Sequence, residues 1–494
     1  MNIRINKNSM TPLYVQIANG IRNLIREEEL TDNYKLPSER QLAKELGVHR
    51  NTVVRAYNEL VADGFIVTSR VSPKGYFVLR NRQEEKKRVF FPLAKMIRYN
   101  FTANEKLFEQ IFDESSSFEY ISMAGIVMGK AINPIVRMSD IFDRMKAGYW
   151  SRNIEKLQDN ETERLKYNIC NLLKSRNMYI NKKNIQIVSE TTQALSHIID
   201  LYLTEGDCII VEEPVVPDTV NLFRNKNIKV ACVSMEENGP NLKEMERLIV
   251  EKSPKFLYVM PNYHNPTGIV MSLQKRMALL ELSYKYGIPI IEEDSQNDFN
   301  YSSRRIPTLY SLDRYKSVLY IDTFTLTFLP GIKTAFVVGP YEPIEMIGSY
   351  IKMSQVFISN IGQYMLNEFI ETGNYEEHLK DLREYYETKR DVLMRALKRI
   401  EHKGLSAVHP EGGLYVWCTL DSRINEKELF QLCRQEGLLL MPGYIFYPNG
   451  YQGGGHIRLC FSNVSDQEIE EAVLILERAL DHEANRQQKE IENE

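Results

Sequence analysis

Among its 494 residues the chain has only six cysteines, eight histidines and two tryptophans. The cysteines (Cys170, Cys208, Cys232, Cys418, Cys433 and Cys460) form no Cys-x-x-Cys pair, and no histidine stands near them at ligand spacing. Neither a disulfide framework nor a zinc site is indicated, and buried reduced thiols are expected. No run of about eighteen apolar residues occurs, so no membrane-spanning helix is expected. The opening Met-Asn-Ile-Arg-Ile-Asn-Lys-Asn lacks the apolar core of a signal peptide, and the expected address is cytoplasmic. No internal repeat is present. Neither charge dominates, with 62 Lys+Arg against 66 Asp+Glu, and 43% apolar with 26% charged residues is the balance of a globular protein. The length calls for two or three domains.

The distribution of charge says more than its total. Residues 1–80 hold 12 Lys+Arg against 8 Asp+Glu, whereas the remainder holds 50 against 58. The basic excess lies at the front, where a polyanion would be met. There Pro12 opens a helical pattern that sets Leu13, Ile17, Ile21, Leu24 and Ile25 on one face. Ser38 is placed to cap a second helix through Leu42 and Leu46 to the turn glycine Gly47. A third starts near His49, carries Val53, Val54, Tyr57 and Leu60 inward, and ends at Gly64. Two β-prone runs, 65–68 and 76–79, flank a turn with Pro73, Lys74 and Gly75. Three helices and a hairpin make a winged helix-turn-helix.

The stretches Pro-Leu-Tyr-x-Gln-Ile, Leu-Pro-Ser-Glu-Arg-x-Leu-Ala and Leu-Gly-Val-x-Arg-Asn-Thr-Val resemble the GntR family of bacterial transcription regulators across this whole segment. The resemblance implies double-stranded DNA as a partner, with the third helix in the major groove. His49, Arg50, Asn51 and Thr52 fall at that helix's N-terminus, where Arg50 or Asn51 suits a purine edge. Ser38, Arg40, Arg55, Arg70 and Lys74 suit phosphates.

Residues 81–118 read as a linker that starts with the charged run 82–88 and whose second half docks on the body. A body follows over 119–480, and 481–494 is a polar tail. From about residue 160, buried-strand runs (185–188, 208–211, 230–233, 256–259, 289–292 and 318–321) alternate with helical patterns, which predicts an α/β domain with a largely parallel sheet over about 160–345. A smaller α+β part is expected over about 370–480. In such sheets ligands gather at the carboxyl ends of the strands.

The run Asp322 to Lys333 lies at one such end. It resembles the lysine loop of the fold-type I pyridoxal phosphate enzymes, the aminotransferase superfamily, in which Thr-Phe-Ser-Lys precedes Leu-x-Pro-Gly-x-Arg. Thr323, Phe324 and Thr325 match in type, Pro330 and Gly331 in identity, and Lys333 keeps a cation in place of the arginine. Leu326 stands where the lysine belongs. A leucine offers no amine to an aldehyde cofactor. The resemblance also implies that Asn265, in Asn265-Pro266-Thr267-Gly268, faces the cofactor's phenolic oxygen, and that Thr191 and Thr192 bind its phosphate at a helix N-terminus. Glu190 replaces the usual glycine there and would repel a phosphate, a repulsion that Lys333 could offset as a counter-charge. Glu293 replaces the aspartate that pairs with the pyridinium nitrogen, Asp294 being the alternative if the strand slips by one residue. Ser295 and Val216 replace two pocket tyrosines. Arg458 matches the arginine that clamps a substrate carboxylate; its alternative role is an ion pair on an interior strand.

A GntR-type head joined to an aminotransferase-like body is the arrangement of the MocR subgroup. The resemblance implies a homodimeric, DNA-binding regulator whose body senses a small carboxylate or amino-acid effector, or only dimerises. No transamination is expected, and pyridoxal phosphate is expected to be held noncovalently or not at all. The alternative is a working aminotransferase with a fused DNA-binding module, for which Lys333 is the nearest amine in sequence.

Overall fold

The computed structural model describes residues 3, 5–7, 11–26, 29–69, 74–79, 102–117, 119–125, 134–144, 157–302, 307–354, 358–450 and 455–492. Arg70, the charged run 82–88 and residues 81–101 of the expected linker lie outside them. The chain divides into two compact units, Met1–Asn100 and Phe101–Glu494.

In the first unit, helices Leu13–Arg26, Glu39–Leu46 and Arg50–Ala62 precede a hairpin of Ile66–Ser69 and Gly75–Val78, paired antiparallel with Ile66 opposite Val78. The apolar stripes meet in one small core, where Ile17, Ile21, Leu42, Val53, Tyr57 and Leu60 are fully buried. The tight turn between the second and third helices depends on Gly47, at φ +61°, a left-handed conformation that costs glycine little. Tyr57 satisfies its buried hydroxyl by donating to the Pro37 carbonyl at 2.9 Å.

The second unit is built on an eight-stranded sheet in the order Ile185–Val188, Ala335–Val338, Val318–Thr323, Ile290–Glu293, Phe256–Val259, Cys208–Glu213, Lys229–Glu236, Gly239–Pro240. Its central strands run parallel and are buried on both faces, as strands covered by helices on each side must be, with Glu212, Glu292, Glu293 and Asp322 at their carboxyl ends. Two apolar cores line the two faces, one around Ile198, Val220 and Ile347 and the other around Leu248, Leu279 and Leu280. The strand Ala335–Val338 is not among the sequence readings. It runs antiparallel between its neighbours, because the loop after Thr323 turns the chain straight back into the sheet. A four-stranded antiparallel sheet of Leu405–Ala407, Tyr415–Leu420, His456–Cys460 and Met441–Pro442 forms the smaller part.

Helix Ala103–Glu114 belongs to this unit. It starts in a reciprocal cap, in which Thr102 and Glu105 satisfy each other's backbone amides. The two-residue strand Ile121–Ser122 then pairs with Leu438–Leu439. At the far end helix Asp466–Glu492 runs on through most of the polar segment read as a tail. No helix among the described residues is long and apolar enough to cross a membrane.

Candidate ligand cradle and nucleic-acid interface

Four strand ends and two strands of the smaller sheet bring the cradle residues together. After Phe256–Val259 the chain enters the loop 260–271, which Arg276 holds from beneath. This fully buried guanidinium donates to the carbonyls of Pro261 at 3.0 Å and Met271 at 2.9 Å and to Asn262 Oδ1 at 2.6 Å. His264 adds a second fastening through Thr267 Oγ1 at 2.9 Å, with burial pushing its imidazole down to about 3, so it is neutral. Its Nε2 lies 3.6 Å from Glu212, a carboxyl that burial pushes up to about 8.

Asn265 projects from this fixed loop toward the smaller sheet. Its amide donates to Tyr415 Oη at 3.3 Å, and its carbonyl oxygen accepts from Arg458 Nη1 at 2.8 Å. Arg458 is only 4% exposed. Its Nη2 donates to the Ala124 carbonyl at 2.6 Å, and its guanidinium lies 4.5 Å from the Tyr415 ring centre and 5.0 Å from that of Phe446. Burial pulls its pKa below the ordinary arginine value. Among the described residues no carboxylate pairs with it, and Nε has no hydrogen-bond partner. The alternative role as an interior ion pair therefore has no partner among the described residues.

The loop Asp322 to Lys333 begins from an anchored base. Arg176 donates to Asp322 at 2.5 Å and to Asp298 at 2.9 Å. Phe324, Thr327 and Phe328 are buried, and Thr327 Oγ1 lies 2.9 Å from Tyr375 Oη. Leu326 is half-buried and packs against the main core. Thr325 Oγ1 donates to Glu190 Oε1 at 3.0 Å, and Lys333 Nζ is 3.8 Å from the same oxygen on a side chain that is 65% exposed. Glu190 is the N-terminal cap residue of helix Thr191–Tyr202, yet its side chain bonds none of that helix's amides. Thr191 is half-buried and Thr192 exposed.

Glu293, the last residue of its strand, accepts from Tyr258 Oη at 2.6 Å and from Ser295 Oγ at 3.2 Å. Burial pushes its carboxyl up against the effect of those two donors, and Glu190 pushes it further. Asp294 points elsewhere, accepting from Asn262, Asn297 and Tyr320. The sequence readings did not include Tyr258, Tyr415 or Phe446. Tyr258 had one visible signal, a hydroxyl inside the otherwise apolar run Phe256–Val259, since a buried tyrosine must find a partner. Tyr415, inside the apolar run 414–418, carries the same mark, and Phe446 has none.

On the first unit the third helix presents His49, Arg50 and Asn51 exposed and Thr52 half-buried at its N-terminus. His49 caps that helix, Nδ1 accepting from the Asn51 amide at 3.3 Å. Arg50 is already engaged, with Nη2 donating to Glu39 Oε2 at 2.8 Å, while Tyr76 donates to the other oxygen of that carboxylate. To reach a base edge it would have to leave that partner, whereas among the described residues the Asn51 side chain has no such tether. Arg55 lies 3.9 Å above the Tyr14 ring centre and donates to its hydroxyl. Ser38 caps the second helix, accepting from the Gln41 amide at 3.3 Å, and Arg40 and Lys74 are exposed.

A family profile described as aminotransferase class I and II matches residues 145–476. The chain belongs to the aminotransferase class I and II family. Residues 13–78 match a second profile, bacterial regulatory proteins, gntR family, so a GntR helix-turn-helix domain precedes the aminotransferase domain. The chain is 26% identical to the uncharacterized HTH-type transcriptional regulator YdfD of Bacillus subtilis (strain 168), over 94% of this chain and 95% of that one. It is 28% identical to the 2-aminoadipate transaminase of Thermus thermophilus, over 61% of this chain and 76% of that one. Among solved structures, the kynurenine aminotransferase of Pyrococcus horikoshii superposes with a TM-score of 0.71 at 25% identity, covering 79% of this chain and 96% of that one. Resemblance to this family brings pyridoxal phosphate with it as the expected cofactor.

Proposed function

We propose that this protein is a DNA-binding transcription regulator whose aminotransferase domain binds a small carboxylate or amino-acid effector and does not transaminate. The observation that carries this reading is the pairing of a GntR reading head with a body that has Leu326 where an imine-forming lysine would stand. A hydrocarbon side chain has neither a lone pair to attack an aldehyde nor a proton to shuttle. The neighbouring amine does not replace it, because Lys333 is mostly exposed and faces Glu190.

The residues around the loop support the same conclusion. A phosphate at the start of helix Thr191–Tyr202 would meet the Glu190 carboxylate, which already uses the Thr325 hydroxyl. The residues present thus do not fit a covalently held, phosphate-anchored cofactor, and pyridoxal phosphate is held noncovalently or not at all. Arg458, buried and without a carboxylate partner among the described residues, is the group suited to an effector's carboxylate. Effector binding there would shift the body between states that differ in DNA affinity.

On the head, Asn51 is the leading candidate for base contact, with His49, Thr52 and a released Arg50 beside it. Ser38, Arg40, Arg55 and Lys74 are the phosphate candidates. The name of YdfD, a relative along nearly the whole chain, agrees with this assignment. The test is a selection of bound genomic fragments by the full-length protein, paired with an amino-donor turnover assay on a panel of 2-oxo acids. A selected consensus with no turnover is the expected result. Turnover that depends on pyridoxal phosphate would overturn it in favour of a working aminotransferase with a fused head.

A further inference from the structure

A cavity of about 810 Å³ opens in the second unit outside the cradle, and neither Asn265, Arg458, Glu190, Glu293 nor any residue of the loop Asp322 to Lys333 lines it. Its lining comes from the carboxyl ends of strands Cys208–Glu213 and Lys229–Glu236, from the fixed loop at Ile269 and Val270, and from Trp417 and His456 of the smaller sheet.

Part of that lining is aromatic. The Trp417 and His456 rings stack with centres 5.0 Å apart and planes 23° from parallel, and Tyr447 stacks on His456 in turn at 6.5 Å. Burial lowers the His456 imidazole below its ordinary value, so the stack is uncharged at neutral pH. The ionisable part is one-sided: Glu213, Glu236, Glu237 and Glu411 line the cavity, and no lysine or arginine is among the described lining residues. Lys275 pairs with Glu236 at 2.5 Å from outside the lining, and His409 lies 3.3 Å from Asp391. Glu237 and Glu411 are exposed and have no ion-pair partner among the described residues. Glu213 is half-buried, with its Oε1 shielded from water and without a hydrogen-bond partner, and burial raises its carboxyl above the usual range.

An anion is repelled by such a lining, and a neutral ligand leaves the carboxylates uncompensated. A cation is attracted by the rings and the carboxylates alike. Carboxyls at two depths, beside rings and aliphatic side chains, match a hydrocarbon chain with an ammonium at each end.

We propose that this cavity is a second effector site that takes an aliphatic diamine or polyamine, with one ammonium on Glu213, the methylenes on Ile269, Val270 and Trp417, and a further ammonium on Glu237 and Glu411. The site is tied to the cradle through the backbone. Trp417 lies directly opposite Arg458 on paired strands, and Ile269 and Val270 follow Asn265 in one loop. An amine bound here would therefore shift the affinity of the cradle for its own ligand. The site does not depend on what Arg458 holds.

The test is calorimetric titration of the full-length protein with putrescine and spermidine, against butylamine, butanediol and succinate. At least one of the two amines should bind once per chain, with butylamine about tenfold or more weaker, the loss expected for one charge-assisted hydrogen bond, and with butanediol and succinate silent. Glu213→Gln should weaken the amine about tenfold or more. Trp417→Leu, which keeps apolar bulk and removes the ring face, should weaken it by about threefold to thirtyfold. Glu251→Gln, an exposed carboxylate on helix Leu242–Lys252, should leave the affinity unchanged, as should Arg458→Met. Melting curves show whether each variant folds; if Glu213→Gln or Trp417→Leu does not, Glu237→Gln combined with Glu411→Gln, on exposed side chains, carries the test with the same tenfold loss. The proposal is overturned if neither amine binds at millimolar concentration, if butanediol binds as tightly as putrescine, if the folded carboxylate variants bind as the natural protein does, or if Arg458→Met abolishes binding and so moves the amine to the cradle. Retention of selected genomic fragments is scored in parallel, so a protein that holds its DNA and binds no amine loses this site and keeps the regulator.

Discussion

Replacing Arg458 by methionine separates a ligand clamp from a structural cation. In the protein without effector two effects oppose each other. The substitution orphans the Asn265 side-chain oxygen and the Ala124 carbonyl, at about 1–3 kcal/mol each. It also removes a guanidinium whose burial without a counter-ion costs several kcal/mol, and methionine refills most of the volume over Tyr415 and Phe446. The two nearly cancel, so stability should change by no more than about 2 kcal/mol. With effector the balance is one-sided, because a carboxylate deprived of its buried partner loses about 2–5 kcal/mol, a weakening of tens to thousands of fold. Scanning calorimetry with and without effector reads both quantities. A ligand at a hundred times its Kd stabilises by about 2.7 kcal/mol, which raises the melting temperature of the natural protein measurably, and the rise should vanish in Arg458→Met. Arg458→Lys, which keeps the charge but cannot reach both acceptors and a carboxylate with one fork, should fall between. If Arg458→Met keeps the full ligand-induced rise, the clamp is elsewhere. If the variant without ligand loses more than about 5 kcal/mol, the guanidinium is a structural element.

Four further outcomes are expected. Arg40→Ala should weaken DNA binding evenly across sequences and lower the salt slope by about one unit, whereas Asn51→Ala should relax base preference at one position at about 1–3 kcal/mol; Arg50→Ala, held as it is by Glu39, should cost less on the specific site, and equal losses on specific and random DNA for all three would refute this division. Borohydride reduction in the presence of pyridoxal phosphate should leave no stoichiometric adduct on any one lysine by mass spectrometry, and a complete adduct at Lys333 would contradict the reading of Leu326. Glu212, whose carboxyl rises from 4.5 to about 8 in the fold, binds a proton in the folded state that the unfolded chain has released between those values; its contribution is complete below pH 4.5 and lost as pH rises through 8, at up to about 1.4 kcal/mol per pH unit. Urea titrations from pH 5 to 9 should show that slope flattened in Glu212→Gln, and an unchanged slope would place the proton elsewhere. Light scattering should give twice the chain mass, and a monomer at all concentrations would contradict the homodimer that the MocR resemblance implies.

Much of the architecture was legible in the residue pattern. The head could be read element by element, because its helices carry caps at Ser38 and His49, a turn glycine at Gly47 and apolar stripes of period 3.6. The central strands could be read because a parallel strand covered on both faces must be a continuous apolar run. What could not be read there was direction: Ala335–Val338 is as apolar as its neighbours, and only its hydrogen bonds make it antiparallel. Docking of the second half of 81–118 on the body was expected, and helix Ala103–Glu114 does belong to that unit, but the helix itself was not read in a stretch without clear periodicity.

At the cradle the sequence by itself determined which chemical groups are present: a leucine at 326, carboxylates at 190 and 293, an asparagine at 265 and an arginine at 458. Side-chain identity fixes whether an amine or a charge exists at all. It does not fix which charges meet, because Glu190 and Thr325 are 135 positions apart, and Asn265 and Arg458 193. Tertiary structure alone decided that Glu190 turns from its own helix to the loop, that Glu293 bonds Tyr258 and Ser295 while Asp294 bonds Asn262 and Tyr320, that Glu39 holds Arg50, and that Arg458 is buried over two aromatic rings with no carboxylate among the described residues. The reason is electrostatic, since the energy of a charge depends on its distance to others and on the water it has lost, and folding sets both.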